Sequence, residues 1–383
     1  TLATDKHTMN QPPLHPEEAA QEALETWSAE ATRERLEARW SPALLARFAE
    51  VVRRSIQHAP EAAKRNALVR TARQILRGEE RTRIALTLDP ALGRWTSAME
   101  RALTQGDSVD ALMALIPRFA LGHAIYQHES IETRVIVGSG GRARIPVDGR
   151  VLQGPPSRPL RVRVEKGELT NHTRAARKAG PFEIIDGDAE AGALPSVQPI
   201  SGGNLIEIVQ PIKAGVKTLE ASAPELMAEI HALSPTLVAV GGAKDVSHSA
   251  SLSEARGCIW LTPVSRPLVI AETLVHEASH LKFFLAEDVS PFVEQPDPPR
   301  FEVPWRKDRR PLRAVLMGLH AWVRILTWLD SIEAGVHRQA ADERSVILSS
   351  ATLAAADIVE GAEGLNAAGK ALVDMLCKET RER

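Results

Sequence analysis

Between Pro16 and about Ile125, Ala, Leu and Val recur at three- and four-residue spacing among Glu and Arg, the pattern of amphipathic helices. Ser41 before Pro42 predicts a helix start, after which Leu44, Leu45, Phe48, Val51 and Val52 supply one apolar face for the core. Near Ile131 the pattern changes. Thr133-Arg-Val-Ile-Val-Gly, Ala143-Arg-Ile-Pro-Val, Leu160-Arg-Val-Arg-Val-Glu, Phe182-Glu-Ile-Ile and Leu205-Ile-Glu-Ile-Val alternate or cluster β-branched residues between Gly and Pro turns. They predict a small β-rich region over about residues 131–212. Helical spacing returns from Val216 to Leu233, followed by two buried strands at Leu237-Val-Ala-Val-Gly-Gly and Gly257-Cys-Ile-Trp-Leu-Thr.

Ser265 as cap and Pro267 in the first turn then open a helix that runs to about Ala286. A loop carrying Pro291, Pro296, Pro298, Pro299 and Pro304 leads to a second long helix, Pro311 to Ile332, and two more cover roughly 337–360 and 365–380. No repeat of fixed period is present. The expected fold class is α+β, mainly α-helical, in three parts: a helical region over 16–130, a β-rich region over 131–215, and a helical region over 216–383 that carries the chemistry described below.

Composition narrows the function classes. With 383 residues, 44% hydrophobic and 25% charged, the chain has material for a sizeable core. Forty-seven Lys and Arg against 49 Asp and Glu leave a formal charge of -2, so no overall basic field draws in nucleic acid or an anionic membrane. Cys258 and Cys377 are too few for a disulfide framework or a thiolate metal site, and a reducing cytoplasm is the expected setting. No apolar run approaches the ~18–20 residues of a membrane span. The polar, Pro-containing start does not read as a secretory signal, and Met9-Asn-Gln-Pro-Pro reads as a natural beginning.

The chemistry sits in Leu274-Val-His-Glu-Ala-Ser-His-Leu, where His276, Glu277 and His280 form H-E-x-x-H. A helix advances 3.6 residues per turn, so the two imidazoles project from one face and suit neighbouring positions on a divalent metal. Glu277 points about 100° round from His276, where it can reach a water on that metal without coordinating. Leu274, Val275, Ala278, Leu281 and Phe284 bury the helix. Two imidazoles leave a metal underdetermined, and the best third donor is His320, in Leu316-Met-Gly-Leu-His-Ala-Trp-Val on the next long helix, where Gly318 removes bulk that would keep the helices apart. Glu294, Glu302 and Glu333 are the carboxylate alternatives.

Between these helices, Val303-Pro-Trp-Arg-Lys-Asp-Arg-Arg-Pro-Leu places Arg306, Arg309, Arg310 and Arg313 around a helix N-terminus. Guanidinium forks in such a place form a carboxylate clamp, or else a solvated basic turn paired with Asp288, Asp297 or Asp308. Trp305 packs, or walls a pocket.

Leu274–Phe283, Val303–Leu312 and Met317–Val323, three blocks in this order within about residues 255–335, resemble the HEXXH motif-containing peptide-modification proteins that accompany ribosomally synthesised, post-translationally modified peptides in bacteria. The resemblance implies a metal at His276 and His280 with Glu277 beside them. It matches Trp305, Arg306, Arg310 and Pro311 to the family's Pro-Trp-Arg and Arg-Pro block, and His320 to the helix that follows. Family members often show His just before the glycine of that helix, where this chain has Met317. Some members resemble iron(II)- and 2-oxoglutarate-dependent hydroxylases that act on precursor-peptide side chains.

The expected activity is therefore hydroxylation of a ribosomal precursor peptide by Fe(II) and 2-oxoglutarate. Arg306, Arg310, Arg313 and Trp305 would serve the cosubstrate, and the β-rich region would guide the peptide as an added strand. The alternative is a zinc metallopeptidase with Glu277 as general base. It ranks second because Phe283 and Ala286 stand where the longer zincin motif has Gly and its last His.

Overall fold

The computed structural model describes residues 15–58, 62–136, 142–146, 148, 150–154, 158–170, 173–174, 177–186, 200, 205–241, 247–333 and 335–383. The Met9 start lies outside the described residues, as do the Val137-Gly138 and Val147 ends of two expected strands. The first part is helical throughout: α1 (Pro16–Leu24), α2 (Ala29–Arg35), α3 (Ser41–His58), α4 (Ala62–Arg77), α5 (Glu80–Leu88), α6 (Pro90–Gln105), α7 (Asp110–Met113) and α8 (Ile116–Tyr126). Ser28 begins α2, its hydroxyl accepting the Ala31 N–H at 3.1 Å, and Asp89 begins α6 by accepting the Ala91 N–H at 3.0 Å ahead of Pro90. Ser41 caps nothing. A π-helical turn over Leu36–Trp40 runs directly into α3, and Ser41 itself has helical torsions, so the Ser-Pro pair lies inside a continuous helical path. The expected apolar face is nonetheless correct: Leu44, Phe48, Val51 and Val52 are buried.

Strands follow as β1 (Ile131–Ile136), β2 (Arg142–Arg144), β3 (Val151–Gln153), β4 (Pro159–Glu165), β5 (Glu168–Leu169), β6 (Thr173–Arg174), β7 (Arg177–Ala179) and β8 (Phe182–Asp186). Six of them form two small antiparallel sheets, ordered β1-β4-β5 and β2-β3-β6. The other two join β9 (Thr236–Ala239), β10 (Ser249–Ala250) and β11 (Cys258–Leu261) in a five-stranded sheet ordered β10-β11-β9-β8-β7. Its centre is parallel, with Ile184 opposite Leu237 and Trp260 opposite Val238. Every residue of β9 and β11 is buried, as their unbroken apolar runs require. The β8–β9 pairing thus ties together residues on either side of position 215. Arg144, itself buried, adds a second tie: it donates to Asp89 of the α6 cap and to Glu183 of β8, each at 2.7 Å.

Leu205-Ile-Glu-Ile-Val is not a strand. It opens α9 (Leu205–Ser222), where Ile208, Ile212, Val216 and Leu219 are buried at helical spacing. Five residues with clustered β-branched side chains cannot separate a strand from the start of a longer helix; the apolar positions further on decide it. Pro224 then starts α10 (Pro224–Leu233) after the extended Ala223.

The remaining helices are α11 (Pro267–Val289), α12 (Leu312–Asp330), α13 (Arg338–Glu360) and α14 (Ala367–Glu382). Arg266 rather than Ser265 precedes α11, with Pro267 in its first turn. A core runs through all these helices, from Ala19 of α1 to Cys377 of α14, and α1 packs against both α14 and α11 with Ala19, Ala20 and Ala23 buried. Cys258 and Cys377 are buried free thiols. By length and composition α12 could cross a bilayer, contrary to the expectation from apolar runs, but two thirds of that stretch is buried inside the protein.

Candidate metal centre

α11 packs against α9, α10, α12 and α1, with Leu274, Val275, Ala278, Leu281 and Phe283 buried. Successive turns of the same helix present Glu272, His276 and His280. The two imidazole centroids lie 4.5 Å apart with their planes at 78°, so the spacing of the motif does place both rings on one face. Burial, helped by His276, His320 and Arg313, pushes the His280 pKa well below its ordinary value; it is therefore a neutral imidazole, the form that ligates metals. Its Nδ1 has no hydrogen-bond partner, and neither has Oε2 of the buried Glu277. Buried polar atoms are nearly always paired, and these two stand open on adjacent turns. The donor set of His276 and His280 with Glu277 beside them therefore fits a divalent metal in two positions.

The third position is not supplied as expected. Among the described residues no group of three or more His, Cys, Asp or Glu side chains is arranged to hold a metal. α12 does return antiparallel to α11, since Arg313 meets Glu287 and His320 meets Phe283, with ring centroids 5.7 Å apart. His320, however, is fully buried with its Nε2 2.7 Å from the carbonyl of Ala23. That carbonyl lies in the last turn of α1, where helical C=O groups lack partners within the helix, and the imidazole N–H satisfies it. Burial, reinforced by Arg324, holds the His320 pKa down at about 3. Glu294, Glu302 and Glu333 are exposed, and Glu302 accepts from Arg309 at 2.7 Å. Nor does Gly318 bring the helices together: a Cβ there would meet nothing within 4 Å, so the glycine faces open space.

The arginine block is paired with carboxylates throughout. Arg306 and Arg310 both donate to Asp308, at 3.2 and 3.0 Å, and Arg313 grips Glu287 with its Nε 2.9 and 2.8 Å from the two carboxylate oxygens. The N-terminus of α12 already holds an anion as well, because Asp297 accepts the N–H groups of Leu312 and Arg313 at 2.9 and 2.8 Å. Asp288 takes Arg256 instead. Of the four arginines, Arg313 is the one whose charge acts on His280. Trp305 packs edge-on against Trp322 of α12, centroids 4.6 Å apart.

Sequence reasoning missed a buried charge cluster next to this helix face. Glu229 of α10 accepts Lys282 at 2.6 Å and Arg324 at 2.5 Å, and Lys282, two residues beyond His280, also sits 4.0 Å over the Trp27 ring. Burial, with Arg324 alongside, lowers the Lys282 pKa to about 7. The signal was available: Glu229 lies between Leu226 and Leu233 on the apolar stripe of α10, where a carboxylate needs a buried cation. A second missed pair, Glu272 with Arg344 of α13 at 2.6 Å, closes the other end of the histidine face.

No protein-family model and no curated protein matches this chain.

Proposed function

We propose that the protein is a metal-dependent peptide-modifying enzyme, an Fe(II)- and 2-oxoglutarate-dependent hydroxylase of a ribosomal precursor peptide. The observation that carries the reading is the pair of imidazoles one turn apart with an unpartnered Glu277 oxygen and an unpartnered His280 nitrogen beside them. His276 and His280 would hold the metal, and bound iron would supply oxidation of a peptide C–H bond by dioxygen coupled to decarboxylation of the cosubstrate. Glu277, buried against the helix, accepts a hydrogen bond and orients what enters. Arg313 receives the far carboxylate of the cosubstrate by releasing Glu287. The peptide adds alongside β1, which among the described residues pairs with β4 alone.

The free Glu277 oxygen also favours a second reading, zinc-dependent hydrolysis with Glu277 taking the proton of the attacking water. One experiment separates them. Protein purified anaerobically is assayed for bound metal, then incubated with Fe(II), 2-oxoglutarate and candidate peptides. Succinate together with a peptide heavier by one oxygen atom supports hydroxylation. Peptide cleaved with zinc and without cosubstrate supports hydrolysis and ends the first reading.

A further inference from the structure

A cleft far along the chain from the HExxH helix is lined by α4, α8 and the turns that follow them and has a volume of about 570 Å³, within the ordinary ~300–1,000 Å³ of small-molecule sites. Arg70, Arg73 and Arg77 line it at i, i+3 and i+7 of α4, so their guanidinium groups rise along one face at steps of about 4.5 and 6 Å. All three are exposed, and among the described residues none has a carboxylate or hydrogen-bond partner. Three like charges in two turns repel one another until an anion joins them. The wall beneath them is also unfinished. His123 of α8 is 3% exposed, yet neither ring nitrogen completes a well-formed hydrogen bond, although the Gln74 backbone lies beside the ring, and the buried Oε1 of Gln74 has no partner. Gly78 makes the room: a Cβ there would stand 2.8 Å from His123 Nε2. Glu79 and Glu129 complete the lining, with a Glu129 carboxylate oxygen 3.7 Å from His123 Nδ1, too long for a hydrogen bond.

We propose that this cleft binds a small polyanion, a molecule carrying at least two phosphoryl or carboxylate groups together with hydroxyl or amino donors. The arginine stripe takes the anionic groups in forked hydrogen bonds, His123 and Gln74 meet the part that reaches the floor, and Glu79 and Glu129 accept from the donor end. None of these residues belongs to the HExxH helix, so the proposal stands or falls separately from the activity proposed above.

The test is calorimetric titration of the full chain at fixed ionic strength with inorganic triphosphate, pyrophosphate and citrate, the first two probing phosphoryl recognition and the third carboxylate recognition. One-to-one saturable binding of at least one probe is expected, weakened about tenfold by Arg73→Gln and further by Arg70→Gln with Arg77→Gln. These exposed substitutions keep the circular dichroism and melting temperature of the parent chain. Gly78→Ala, which drives the imidazole from the floor, weakens the same probe, whereas His276→Ala leaves its affinity unchanged. Absence of saturation by every probe up to about 10 mM overturns the proposal. So does binding that survives the triple glutamine variant, or capture of a polyglutamate peptide with no binding of the small anions.

Discussion

Two sets of arginines on this protein look alike in sequence and differ in what they can do. Arg306, Arg309, Arg310 and Arg313 stand beside the motif that draws the eye, but each guanidinium already holds a carboxylate, and the helix end behind them holds Asp297. Arg70, Arg73 and Arg77 lie on a helix with no motif and have no such partner among the described residues. Position near a motif says little about whether a charge is available; what matters is whether it has already been neutralised. The histidines divide in the same way. His320 gives its Nε2 to Ala23 and keeps only a fully buried Nδ1 unpartnered, while His280, on one helix face with His276, has an unpartnered Nδ1.

The largest expected effect tests that second division. His276→Ala with His280→Ala lowers metal affinity by at least about a hundredfold, read by equilibrium dialysis with Fe(II) or Zn(II). His320→Ala leaves metal content unchanged, and loss of the metal would instead make His320 a ligand. The same His320→Ala variant should be less stable by about 2–3 kcal/mol in urea unfolding, since it strands the Ala23 carbonyl and opens a void.

Acid titration reaches the same residue. The folded protein keeps His320 deprotonated down to about pH 3 while the unfolded chain binds a proton near 6.5. The unfolded state therefore holds more protons in this window, and stability declines as pH falls from about 6.5 towards 3. His320→Gln, which retains a donor for Ala23, should flatten that decline; an unchanged pH profile would show that the ring is not the group responsible.

Smaller effects sharpen the contrast between the arginine sets. Glu287→Gln weakens the hold on Arg313 and should lower the apparent KM for 2-oxoglutarate roughly three- to tenfold if Arg313 takes its far carboxylate. A higher KM would mean that the ion pair positions the site rather than blocking it. Least of all, Gly318→Ala should stabilise the fold by about 0.5–1 kcal/mol, because the new methyl group meets open space and the helix gains propensity. Destabilisation there would restore the close-approach role that the sequence suggested.

The sequence made much of this legible and concealed the rest for identifiable reasons. α11 and the buried strands β9 and β11 announce themselves because Pro267 and unbroken apolar runs are local signals. The HExxH spacing fixes the His276–His280 geometry for the same reason, one turn of helix. α9 was hidden because the β-branched cluster at Leu205–Val209 is too short to show a helical period, and Ser41 misled because the π-helical turn before it keeps the chain helical where a cap was expected. The partners of His320 and Arg313 lie at Ala23 and Glu287, contacts set by tertiary packing that no spacing rule reaches, whereas Asp308, which the sequence offered to the basic turn, does pair with Arg306 and Arg310. Lys282 stayed unnoticed because its carboxylate, Glu229, is 53 residues away.

The seating of α1 against α14 and α11 has a consequence for biosynthesis. α1 leaves the ribosome well before α14, which completes its docking surface, so its buried alanines stay wet until α14 has been translated. Chains stopped short of residue 367 should consequently be recognised by proteases at their amino-terminal end, far from the lesion itself.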